Sequence, residues 1–163
     1  MNLSDPFKIL SPNERWAPTQ GQMDAFQNAY EKLLPPLVYK IRIAVAKWRD
    51  EGYQGASETS KSLLNFWFNQ EHLIGQTKFS FFFSQREAIE SIIYLYEIAK
   101  ARDKYELVRF DSSQRVSTGM FEETWTRYVI KMATGAGKTK VMGLTLVWSY
   151  FHKLYEAGST LSK

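Results

Sequence analysis

Apolar residues recur along this chain at the three- and four-residue intervals that amphipathic helices produce. Met23, Phe26, Tyr30, Leu33 and Leu34 mark one helix from Gln22, which Pro35 and Pro36 end or kink. A second stripe, Val38, Ile41, Val45 and Trp48, runs through Leu37–Trp48 with basic residues between its members. Glu51–Gly55 reads as a loop. Ser57 or Thr59 then caps a helix whose Leu63, Leu64, Trp67 and Phe68 share one face. A turn near Gly75 leads to the aromatic run Phe79–Phe83. Beyond it a helix spans Gln85 to about Ala101, with Ala88, Ile89, Ile92, Ile93, Leu95 and Tyr96 on its apolar side.

After this helix the pattern changes. Residues 102–125 are polar and mixed, and one short strand is expected there, at Tyr105–Phe110. Thr126–Met132 reads as a strand, and Lys138–Tyr155 as a helix whose apolar surface is wider than a single stripe. Ala157–Lys163 is a helix stop followed by loop. Pro6, Pro12, Pro18 and Gly21 punctuate the first 21 residues, which read as an irregular arm. The fold class expected is α/β. It divides into an arm (1–21), a helical region without an assignable role (22–78), and a final part (79–163) built around one strand–loop–helix unit.

The loop of that unit carries the chemistry. Between the strand and the last helix stands Met132-Ala-Thr-Gly-Ala-Gly-Lys-Thr139. A nucleotide brings several negative charges that must be met without bulky side chains in the way. Gly135 and Gly137 let backbone N–H groups turn inward around a phosphate, because glycine adopts positive φ cheaply. The helix from Lys138 aims its positive end at the same place. Lys138 would reach the β- and γ-phosphates, and the Thr139 hydroxyl would ligate Mg2+. Thr134, Gly135, Ala136, Gly137, Lys138, Thr139 and Lys140 form the expected binding set, with ATP and Mg2+ as ligands and Lys138 as the catalytic group. The strict pattern wants glycine where Met132 stands. The alternative is a glycine turn that only caps a surface helix.

Composition narrows the remaining classes. The chain has 163 residues, 44% of them hydrophobic, which allows a real core and excludes a disordered polymer. Its net charge of +4 permits contact with nucleic acid, but the basic residues are spread along the chain rather than clustered. It has no cysteine, so disulfides, thiolate metal sites and a cysteine nucleophile are excluded. His72 and His152 lie 80 residues apart and read as solvated or partly buried side chains. The start shows no signal peptide, and the apolar stretch Val141–Phe151 is too short to span a bilayer, so a cytoplasmic protein with no membrane partner is expected.

The variant Met132–Thr139 resembles motif I of superfamily 2 helicases and translocases. More narrowly, it is similar to the DEAD/DEAH-type family that includes the restriction (R) subunit of type III restriction enzymes. Phe81-Phe-Phe-Ser-Gln85-Arg-Glu-Ala-Ile-Glu90 supports the likeness, since in that family an aromatic stretch and Gln-x-x-Ala-Ile open a helix upstream of the loop. The resemblance implies that 79–163 begins an incomplete RecA-like domain. It also implies that Gln85 hydrogen-bonds the adenine edge, as a side-chain amide with one donor and one acceptor can. For Gln85 the competing role is a capping or surface residue; for Phe79–Phe83, core packing competes with stacking on the base. DNA, and a modification subunit, are the partners implied for a parent protein.

The family's Asp-Glu box is not found: the only acid after Thr139 is Glu156, and Glu122 and Glu123 precede the loop on a polar connector. Hydrolysis needs a water-positioning carboxylate and stabilisation of transition-state charge. The expectation is therefore the amino-terminal portion of an ATP-dependent DNA helicase or restriction subunit that binds Mg-ATP but does not turn it over alone. The alternative is a small non-catalytic nucleotide-binding or interaction module, complete as written. A P-loop kinase is disfavoured because its lid, second-substrate site and further strands would follow the loop.

Overall fold

The computed structural model describes residues 5–12, 37–111, 116, 118–120 and 128–159. The helix expected from Gln22 to Leu34 and the residues Glu122 and Glu123 lie outside them. Helix α1 is Val38–Asp50, and its Val45 and Trp48 are buried as the stripe requires. Helix α2, Glu58–Asn69, starts where Ser57 accepts a bond from the Ser60 N–H (3.1 Å), so Ser57 rather than Thr59 is the cap. The Thr59 N–H goes instead to the Glu156 carboxylate at 3.0 Å, and the Thr59 hydroxyl together with this N–H holds Glu156 below its usual range.

Where the sequence suggested only a turn, the chain makes a hairpin. Strands β1, His72–Ile74, and β2, Thr77–Phe79, pair antiparallel around Gly75, whose φ of 63° suits the tight reversal. Helix α3 runs from Phe83 to Ile93 and continues as a π-helical turn, Tyr94–Ile98. The widened turn ends at Lys100 in the left-handed region, with the Ala101 N–H reaching back to the Leu95 carbonyl at 2.9 Å.

Two expected strands are not there. Tyr105–Phe110 was to be extended, but Lys104–Val108 forms a short helix, α4. Asp103 caps it by accepting from the Glu106 N–H at 2.9 Å, and this local bond outweighs the β-propensity of Tyr105 and Val108. In the strand expected at Thr126–Met132, the described residues 128–132 are irregular, and Thr126 and Arg127 lie outside the description. No neighbouring strand faces residues 128–132 among the described residues, and Val129 is 82% exposed. A strand without a partner has no ladder to join. A single turn of 3-10 helix, Thr118–Met120, precedes this segment.

Helix α5, Lys138–Tyr155, closes the core. Its Leu144 and Trp148 join Trp48, Tyr53, Leu64, Trp67, Ile89, Ile93 and Tyr96 in one apolar cluster fed by α1, α2, α3 and α5. Leu95, Ala99, Ala101 and Phe110 form a smaller cluster on which Leu37, Ile41 and Tyr128 pack. Trp148 is anchored twice, by burial and by its indole N–H on the Ser60 hydroxyl at 2.7 Å. The opposite face of α5 stays open: Met142, Leu146, Tyr150 and Leu154 are all more than half exposed. The described part is thus mainly helical with one two-stranded sheet, an α/β composition. No helix among the described residues is long and apolar enough to cross a membrane.

Candidate functional site

The loop between residue 132 and α5 is built from two left-handed glycines, Gly135 (φ 82°) and Gly137 (φ 79°). Gly137 is the N-cap of α5, and its carbonyl accepts from the N–H groups of Lys140 (3.0 Å) and Val141 (3.3 Å). The Ala136 N–H closes a turn on the Ala133 carbonyl at 3.3 Å. A side chain at Gly135 would meet nothing within 4 Å, so the space over the loop is open there. Thr134, Lys138, Thr139 and Lys140 are exposed, while Ala136 is half-buried.

Lys138 Nζ donates to the Ala133 carbonyl at 3.2 Å, a bond within its own loop. A charged phosphate oxygen is the stronger acceptor, so this contact holds the ammonium near the loop without barring a ligand. Lys140 lies over the Phe79 ring, its Nζ 5.1 Å from the centroid. Together the set offers an ammonium, a hydroxyl, backbone turned by glycine and the positive end of an 18-residue helix. Its chemistry fits a magnesium-bound polyphosphate: magnesium keeps several waters and phosphate oxygens and asks few ligands of the protein.

Gln85 reaches this loop from 51 residues away. The amide oxygen accepts from the Phe82 N–H at 3.0 Å, capping α3, and Nε2 donates to the Ala136 carbonyl at 3.1 Å. The residue is only 5% exposed. A Cβ at position 137 would stand 2.1 Å from Gln85 Nε2, so the glycine there also makes room for the amide. The structure therefore unites Gln85 with the loop and engages both ends of its amide in the protein. One N–H of Nε2 remains beyond the Ala136 bond.

The aromatic run divides. Phe83 is core, 6% exposed, with the Arg49 guanidinium over its ring. Phe79 and Phe81 meet edge to face at 4.9 Å and, with Trp67, Phe68, His72 and Arg86, line a cleft of about 90 Å³. Phe82 packs against Phe7, ring centroids 5.3 Å apart.

Behind the site lies a polar network that sequence reasoning passed over. Glu90, fully buried, accepts from the Arg49 guanidinium, from Arg86 Nε (2.8 Å) and from the Tyr53 hydroxyl (2.6 Å). Arg86 Nη2 also donates to the Tyr53 oxygen at 2.9 Å. Burial and the Glu90 charge together push the Tyr53 phenol well above its ordinary value. For Arg86 burial pulls downward, but the bond and charge of Glu90 and the Tyr53 oxygen carry the guanidinium upward overall. An acid set among Ala88, Ile89, Ile92 and Ile93 was the signal available in the sequence.

Comparison with known families supports a helicase-like class for this chain. Residues 78–161, just over half of the chain, match the family described as type III restriction enzyme, res subunit. The chain belongs to that family. No curated protein and no solved structure matches it significantly.

Proposed function

We propose that this chain is the amino-terminal portion of an ATP-dependent DNA helicase, translocase or type III restriction subunit, and that Thr134–Lys140 seats the phosphates of Mg-ATP. The observation that supports it most is the exposed Lys138–Thr139 pair at the start of α5, directly after two left-handed glycines. In this reading Lys138 leaves the Ala133 carbonyl for the β- and γ-phosphates. Thr139 turns its hydroxyl to magnesium, which when bound would draw charge from the phosphate oxygens. Thr134, Gly135, Ala136 and Gly137 wrap the β-phosphate, and Lys140 adds positive charge at the rim. DNA, and a modification subunit, are the partners proposed for the intact protein.

Gln85 has two parts in this scheme. It fixes the loop through Ala136, and its remaining N–H and the second lone pair of its amide oxygen are offered to adenine N7 and to the N6 amino group that guanine lacks. Titration calorimetry with Mg-ATP tests the site: weak binding is expected, abolished in Lys138→Ala and in Thr139→Ala. Unchanged affinity in both variants would overturn it. Gln85→Ala should weaken ATP more than GTP, and an equal loss for both would restrict Gln85 to bracing. Phosphate release from the isolated chain is expected to match that of Lys138→Ala, since the water-positioning box is not in this sequence.

A further inference from the structure

The described part of the amino-terminal arm meets the start of α3, and that contact leads to the loop. Asp5–Lys8 forms a turn in which the Asp5 carboxylate accepts from the Phe7 N–H at 2.9 Å and the Asp5 carbonyl from the Lys8 N–H at 3.3 Å. The turn presents two groups to the start of α3. The Pro6 carbonyl accepts from the Phe83 N–H at 2.9 Å, and the Phe7 ring packs on the Phe82 ring. Phe82 has no side-chain acceptor, so the N–H groups at the start of α3 find their acceptors in other residues. Pro6 supplies one of them and Gln85 the other.

Gln85 is also the side chain that holds Ala136 and fills the space over Gly137. A continuous set of contacts thus runs from Pro6 and Phe7, through Phe82 and Phe83, to Gln85 and the loop. We infer that the Asp5–Lys8 turn is a positioning element for the loop, acting on Ala136 and Gly137 through the first turn of α3. Phe7 is half exposed and contributes to neither apolar cluster, so its packing serves this junction rather than the core. The inference rests on the nucleotide reading only for its consequence on ATP. Its mechanical part stands on the contacts alone.

Amide hydrogen exchange on the full chain separates the two. The Phe83 N–H reports the Pro6 bond directly, and the Ala136 N–H reports the loop. Phe7→Ala is expected to speed exchange at both by about fivefold, the factor that one weak contact commands. Phe7→Tyr restores both rates, and Leu64 and Ile89 in the core are unchanged. Mg-ATP affinity should fall by a similar factor in Phe7→Ala and recover in Phe7→Tyr. Faster exchange at Phe83 with none at Ala136 would overturn the inference, as would no change at either. An equal rise at Leu64 and Ile89 would do so too, because the turn would then be supporting the whole fold. If the wild-type chain binds no ATP, the nucleotide reading fails, and the exchange data still decide this one.

Discussion

Gly137 shows how much one missing methyl group decides. Its φ of 79° is costly for any residue with a Cβ, and the space a Cβ would take belongs to Gln85 Nε2. Gly137→Ala should therefore suffer twice, from backbone strain of about 1–2 kcal/mol and from the collision. Gln85→Ala in the same chain removes the collision, together with the bonds to the Phe82 N–H and the Ala136 carbonyl. Denaturant unfolding is expected to show the double variant losing less stability than the sum of the two single variants, and additive losses would contradict the geometry. That a glycine belongs at 137 was legible from the loop motif. That a glutamine occupies the room it leaves was not, because nothing local links positions 85 and 137.

Among the elements, α3 was readable in its apolar side and not in its polar one. Its apolar side followed from Ala88, Ile89 and Ile93, and its start was placed within two residues. The buried Glu90 network follows from tertiary packing: Arg49 and Tyr53 arrive from α1 and the loop after it. Tyr53 gives a pH signature to that junction. Its phenol is held up by burial and by Glu90, so the folded state keeps its proton where the unfolded state loses it. Stability is then complete below the ordinary phenol value of 10.0 and falls as pH climbs beyond it, by at most ~1.4 kcal/mol per pH unit. Thermal melts from roughly pH 9 to 11, about one unit either side of the ordinary phenol value, should show this slope, and Tyr53→Phe should lose it. An identical slope in the variant would place the alkaline sensitivity elsewhere. The same lesson applies to α4, where the Asp103 cap, written in the sequence as Asp-x-x-Glu, should have weighed more than the aromatic and branched residues after it.

At the scale of the whole molecule, α5 is two helices in one. Its inner side supplies Leu144 and Trp148 to the central cluster; its outer side keeps Met142, Leu146 and Tyr150 in solvent. Trp148→Ala is expected to cost about 3–5 kcal/mol, the usual toll for an emptied aromatic site, with the Ser60 hydroxyl losing its donor as well. Leu146→Ser should change stability by no more than about 0.5 kcal/mol. Unfolding curves that show similar losses for both would mean that the outer face is covered. The width of this helix was visible in its composition, whereas the choice of side was set by where α2 and α3 stand.

The π turn at Tyr94–Ile98 makes this stretch sensitive to residue count as well as to residue type. Omitting a single amino acid there would restore ordinary winding and swing all that follows by about 100°. Glu97 would then leave Ser57, Ser60 and His152, whose bonds it now gathers from two other helices. A relative one letter shorter at this point would have to join its helices by some other means.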